Sequence, residues 1–188
     1  MQLFNTKWRY GAVAVVLHWL IAVLILGLVG LGIYMVRLPD AGFDEIKIAL
    51  ILAHKQIGIL VLMLALIRLL WRQLNPLPEL AQTVPEWQQI AAVLMQLCLL
   101  GLMILQPVLG WLMSSAAGIS VSFFGLFTLP DFLPHNEDQF ARLRAIHDWL
   151  GLAMAGMIAL HAAAALRHHY VLRDDTLQKM LGLRKRDA

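Results

Sequence analysis

Residues 11–36 form a run of 26 residues without a single Asp, Glu, Lys or Arg, and no other feature constrains the fold as strongly. A helix needs about 20 residues to cross the hydrocarbon core of a bilayer. Inside that core every backbone N–H and C=O must be paired, which a helix achieves within itself. A cleaved secretory leader has an apolar core of only about 7–15 residues, so this run is predicted to be an uncleaved span. The remainder of the chain agrees. Of its 188 residues 60% are hydrophobic and 14% charged, against about one quarter charged in a soluble domain, too few to cover a water-facing surface.

The next apolar run, residues 48–67, contains His54 and Lys55. Its uncharged part from Gln56 onward is too short to cross alone, so the span must carry His54 into the membrane. Residues 87–130 hold no charge at all; that is too long for one helix, and Ser114, Ser115 and Gly118 mark a break. A third span is predicted over 88–113 and a fourth over 146–166. Residues 120–129, with Phe123, Phe124 and Phe127, read as a segment in or near the membrane interface that Pro130 ends. Asn75-Pro76-Leu77-Pro78, with Pro85, reads as an extended connection between spans two and three. The predicted fold is an all-α membrane protein, a four-helix transmembrane bundle formed by one domain over residues 1–188.

Four crossings place both termini on one side. Residues 1–10, the loop 68–86 and the tail from 167 hold ten Lys or Arg, and the other side holds five (Arg37, Lys47, Lys55, Arg142 and Arg144). The positive-inside rule makes both termini cytoplasmic, and Arg184-Lys185-Arg186 is part of that signal. The net charge of +3 is spread along span ends and forms no single basic patch, which argues against nucleic acid.

Histidines at membrane depth are costly and point to function. His18 lies eight residues from Tyr10, and His161 six from Arg167, depths of about 12 and 9 Å from the cytoplasmic end. His54 is seven residues from Lys47 and His147 three from Arg144, about 10 and 5 Å from the other end. His147 and His161, 14 residues apart, fall within about 40° of one face and some 21 Å apart along the helix. One helix thus meets a histidine of another helix at each of two depths. Haem iron takes two axial imidazoles, and its flat ring fills a bundle; Gly58, Gly151, Ala155 and Ala162 to Ala165 are predicted to let it approach. Zinc fits less well, because neither level adds a carboxylate or thiolate. With Cys98 as the one cysteine, no C-x-x-C-H attachment site exists and any haem is b-type. His135 reads as a solvated loop residue. His168 and His169, where the fourth span leaves the membrane, read as interfacial groups or as quinone and proton contacts.

The sequence resembles the bacterial cytochrome b561 family of four-helix dihaem membrane cytochromes. The resemblance rests on Leu17-His18-Trp19, on His54 with Gly58, on Arg68-Leu69-Leu70-Trp71-Arg72, on Pro107-Val108-Leu109-Gly110 and on His147-Asp148. Its most specific part is residues 160–170, with Asp175-Thr176-Leu177 following, which looks like the branch that oxidises superoxide and reduces ubiquinone. The resemblance implies a multi-pass protein of the bacterial inner membrane. It also implies two haem b groups, His18/His161 on the cytoplasmic side and His54/His147 on the periplasmic side. Its partners are then the lipid bilayer, a quinone, and superoxide or a redox protein as donor. Lys55, Arg142 and Arg144 are placed to draw a small anion to the outer pair, or are ordinary helix-end charges. His168 is placed to contact ubiquinone near the inner pair. The competing expectation is a dihaem membrane anchor that passes electrons from a hydrogenase or dehydrogenase to quinone.

Overall fold

The computed structural model of the chain describes residues 2–38, 45–78 and 85–183. It is mostly helical. Four long helices, α1 (Ala12–Arg37), α2 (Glu45–Leu74), α3 (Glu86–Ala116) and α4 (Glu137–Arg167), are each long and apolar enough to cross a membrane. α2, α3 and α4 overrun their predicted spans because a charge-free run measures what lies in lipid, whereas a helix continues to its cap. The difference is largest in α4, which begins at Glu137 and not at residue 146. There the Asn136 side chain accepts the backbone N–H of Gln139 at 2.9 Å, and Glu137 and Asp138 sit on the positive end of the helix dipole.

Consecutive helices pack on one another, while α4 meets α1 at few points and α2 at fewer. The buried centre is formed by Ile21 and Ile25 of α1, Val61 of α2 and Met154 of α4. Met154 is seven residues from both His147 and His161, so this cluster is an apolar septum between the two histidine levels. Large apolar side chains such as Val23, Leu26, Leu70 and Leu152 face outward, as lipid solvent allows.

The connection from α3 to α4 is a small antiparallel hairpin, β1 (Ser122–Phe123) with β2 (Phe127–Thr128). Phe124 and Gly125 take φ values of 48° and 73° in the three-residue connection 124–126 between the paired Phe123 and Phe127, and both lie in the left-handed region. After α4 a π-helical turn, His168–Leu172, leads through Arg173, at φ 54°, into the short α5 (Thr176–Met180). The N-terminal segment docks on the end of α2: Asn5 accepts the Gly11 N–H and donates to the Pro76 carbonyl, and Phe4 stacks on Trp71. A Cβ on Gly11 would lie 2.2 Å from the Leu3 carbonyl oxygen, so only glycine permits that close approach. Residues 75–78 follow α2, and Pro85 precedes the first turn of α3; the Arg184-Lys185-Arg186 cluster lies outside the described residues.

Candidate functional site

The four intramembrane histidines come together in the two pairs that the depth count predicts. His18 of α1 faces His161 of α4 with ring centres 6.4 Å apart, and His54 of α2 faces His147 of α4 at 6.3 Å, with interplanar angles of 70° and 75°. These pairs bridge helices whose backbones otherwise meet at few points.

The separation decides what such a pair can hold. A metal-bound imidazole nitrogen lies about 2.0–2.1 Å from the ion, with its ring centre roughly 1.1 Å further back, so two rings on opposite sides of one iron have centres about 6.3 Å apart. A direct N–H···N hydrogen bond would bring the centres to about 5.1 Å. Both pairs match the first distance. The Nδ1 atoms of His54 and His147 are buried with no hydrogen-bond partner in the protein, a costly arrangement at membrane depth. Haem b fits this donor set. Among the described residues no three of His, Cys, Asp and Glu gather as a metal site, and a closed zinc site requires such a cluster.

Two glycines not expected there from the sequence lie beside the His54/His147 pair. A Cβ on Gly32 of α1 would meet His54 Cε1 at 3.6 Å, and one on Gly110 of α3 would meet His147 Cε1 at 3.3 Å. Gly151 abuts Gln106 instead, and a Cβ on Gly58 would have no neighbour within 4 Å. Gln106 was not singled out from sequence. Its Nε2 donates to the His147 carbonyl at 3.0 Å and its Oε1 is buried without a donor. The span also holds Gln88, Gln89 and Gln96, so composition alone did not single Gln106 out.

At this end of the bundle, Lys55 Nζ donates to Ser114 Oγ at 2.8 Å, and Ser114 donates to the Ile119 carbonyl. The Lys55 ammonium is therefore seated in the α2–α3 groove. Arg144 and Asp148 form a half-exposed contact of 3.9 Å, worth little by itself, and Arg142 is exposed. His135, expected to be solvated, is exposed yet tied at both nitrogens, Nδ1 to the Ala116 carbonyl at 3.2 Å and Nε2 to Glu137 at 3.4 Å.

At the other end, His168 Nδ1 meets Asp174 Oδ2 at 2.5 Å. Burial raises the Asp174 pKa, but hydrogen bonds from His168 and Thr176 outweigh it and hold the carboxyl below its ordinary range. Asp174 was not predicted: the π-helical turn and the left-handed Arg173 bring it back to His168, and neither is visible as a motif. Burial pushes the Tyr10 phenol up against the opposing pull of Arg72 and Arg68, so it stays protonated. Trp19, edge-on to His18, donates from Nε1 to the Met180 carbonyl at 2.8 Å. His169 Nδ1 and Trp71 Nε1 are buried at this end without protein partners.

Comparison with known proteins agrees with this architecture. The chain is 35% identical over 184 residues, 97% of its length and 96% of the relative's, to cytochrome b561 homolog 2 of Escherichia coli (strain K12). It is 35% identical over 133 residues, covering 70% of this chain and 74% of the relative, to cytochrome b561 homolog 1 of the same organism. A protein of Yersinia pestis named probable superoxide oxidase CybB is 28% identical over 176 residues, 92% of this chain and 96% of that protein. Residues 9–183 match the family described as prokaryotic cytochrome b561. The chain therefore belongs to the prokaryotic cytochrome b561 family, transmembrane proteins that bind haem b and transfer electrons.

Proposed function

We propose that this chain holds two b haems, one between His18 and His161 and one between His54 and His147, and conducts electrons across the bacterial inner membrane from superoxide to ubiquinone. The observation that carries the reading is the spacing of the imidazole pairs, 6.4 and 6.3 Å, repeated at two depths of one bundle. Haem held by both histidines of each pair, His18 with His161 and His54 with His147, would supply one-electron transfer without oxygen binding. The charge asymmetry supports cytoplasmic termini, which puts the His54/His147 end in the periplasm and the His18/His161 end at the inner interface.

At the periplasmic end Lys55, Arg142 and Arg144 supply a positive field for a small anion, and Asp148 offsets part of it at Arg144. The name of the Yersinia pestis relative supports superoxide as that anion. The reaction balances when two superoxide ions become two oxygen molecules while one quinone takes up two electrons and two protons. Those protons enter at the inner interface, where Asp174 holds His168 by Nδ1 and leaves Nε2 as the nitrogen that contacts the quinone oxygen. The buried, unpartnered His169 Nδ1 and Trp71 Nε1 support a polar ligand at the same end.

Stopped-flow mixing of the purified haem-loaded protein with superoxide, followed by haem absorbance, tests the proposal. Reduction of both haems by superoxide and reoxidation by added ubiquinone is the expected result. Haems that stay oxidised until a hydrogenase or dehydrogenase partner is added would replace it with the electron-transfer-subunit reading.

A further inference from the structure

The α3–α4 connection turns back beside the helices it joins, and its contacts occur in an order that reveals its path. After α3 ends at Ala116, Gly118 takes φ 70° and the chain reverses. The Ile119 N–H donates to the Ser114 carbonyl, and two residues on Val121 is buried against Ile59 of α2 together with Leu129. The returning arm meets Trp111, whose Nε1 donates to the Pro130 carbonyl at 3.0 Å and whose ring packs on Phe132. It then rises to Ala116, where the Asn136 N–H is bound. Descent thus passes Ser114 and then the Ile59/Trp111 level, and ascent passes Trp111 and then Ala116. Ile59 is the fifteenth of the 30 residues of α2 and Trp111 lies five residues before the end of α3, so the base of the hairpin lies below the end of α3, alongside membrane-spanning helices.

Polarity follows the same path. Ser120 and Asp131 form a hydrogen bond across the two arms above that level. Beyond it, Val121 and Leu129 close the base with a backbone hydrogen bond of 2.9 Å. At the tip Phe124, Leu126 and Phe127 are exposed, Leu126 to 76%. No residue between Trp87 and Pro130 is charged. The tip surface continues the apolar outer faces of α2 and α3, which as membrane spans face acyl chains.

We infer that the β1–β2 hairpin is a re-entrant membrane element, which inserts Phe124, Leu126 and Phe127 among lipid chains in the half of the bilayer that holds the His54/His147 pair. Hydrocarbon tolerates non-helical backbone only where its polar groups are paired or covered by protein, and the hairpin pairs part of its own backbone. Its strands are two residues each, its turn is closed by the Leu126 N–H to the Phe123 carbonyl, and its arms lie against α2 and α3. The first arm also places the Ile119 carbonyl where Ser114, the partner of Lys55, donates to it.

The test uses nitroxide labels on the full haem-loaded protein in lipid nanodiscs, read by collision with oxygen, which concentrates in acyl chains, and with a water-soluble nickel chelate. The native Cys98, exposed on α3, serves as the lipid-facing reference, and C98S is the background for Leu126→Cys, Phe127→Cys and the aqueous reference Asp131→Cys. Labels at 126 and 127 are expected to match Cys98, with high oxygen and low chelate collision, and to differ several-fold from the label at 131. Chelate collision at 126 and 127 equal to that at 131 would overturn the inference. Protection from both probes would overturn it too, since that marks a second protein on the hairpin. Conversion of Phe127 to Cys guards against a local failure of the single 126 variant, and unchanged haem absorbance certifies each fold.

Discussion

Gly110→Ala makes the sharpest test of the outer pair. The new methyl would lie 3.3 Å from His147 Cε1 and 3.7 Å from Nδ1, so the imidazole has to yield by a few tenths of an ångström. Overpacking of this kind costs about 1–3 kcal/mol, and replacing glycine by alanine within a helix returns about 1 kcal/mol. The net is a loss of about 0–2 kcal/mol, and because each 1.4 kcal/mol is about tenfold in affinity, haem at that site is expected to be held up to about 30-fold less tightly. Gly32→Ala is the matched control, since its methyl meets His54 at 3.6 Å, an ordinary contact. Haem transfer to apomyoglobin measures the dissociation, and low-temperature electron paramagnetic resonance reports the imidazole geometry of each centre separately. Gly110→Ala is expected to alter one of two signals and Gly32→Ala neither. Equal behaviour of the two variants would refute the reasoning that His147 is held against Gly110.

Deleting one ligand per pair, His161→Ala or His147→Ala, is expected to leave about one haem per chain by pyridine haemochrome; two haems retained in either variant would sink the pairing. Asp174 has a carboxyl lowered by His168 and Thr176 after burial is overcome, so its stabilising contribution is complete above the ordinary carboxylate pKa of 3.8 and is lost as pH falls through the depressed folded value. Hydrogen exchange of residues 174–180 should therefore be protected at neutral pH and lose protection at acid pH, and Asp174→Asn should lack that pH-dependent protection. His168→Ala is expected to keep both haems and their reduction by superoxide but to slow reoxidation by quinone; wild-type reoxidation would return His168 to an interfacial side chain. A reporter fused after Ala188 is expected to read as cytoplasmic, and periplasmic activity there would reverse the two ends.

The spans and the histidine pairing were legible because both depend on simple lengths. A charge-free run compares directly with bilayer thickness, and His147 and His161 share a face because helical geometry is fixed. What the sequence hid depends on chain reversals and on contacts between helices. That Gly32 and Gly110 lie against the imidazoles of His54 and His147 was hidden, because spacing along one helix does not reveal which neighbour it faces. The phenylalanines at 123, 124 and 127 announced an interfacial segment, but the hairpin rests on left-handed φ values at Phe124 and Gly125, and Phe124 is an unusual residue for such a position. Asp174 reaches His168 through a π-helical turn, which no local pattern announces.

The two imidazole pairs are held by different means, and the difference suits the two ends. His54 and His147 lie against glycines of α1 and α3, and Gln106, also of α3, fixes the His147 carbonyl. To move that pair, packed transmembrane helices must shift. The inner pair is held by the chain that follows it. Trp19, next to His18, is tied to Met180, while His168, seven residues beyond His161, is tied to Asp174. Single hydrogen bonds of this kind contribute about 0.5–3 kcal/mol, the upper part of the range where one partner is charged, so the segment after α4 can open without disturbing the bundle. Under the proposed function a superoxide ion needs only to approach the His54/His147 pair, whereas a quinone must bind near His18/His161, take up protons and leave. The end with the more easily opened closure is then the end proposed to exchange the bulkier substrate.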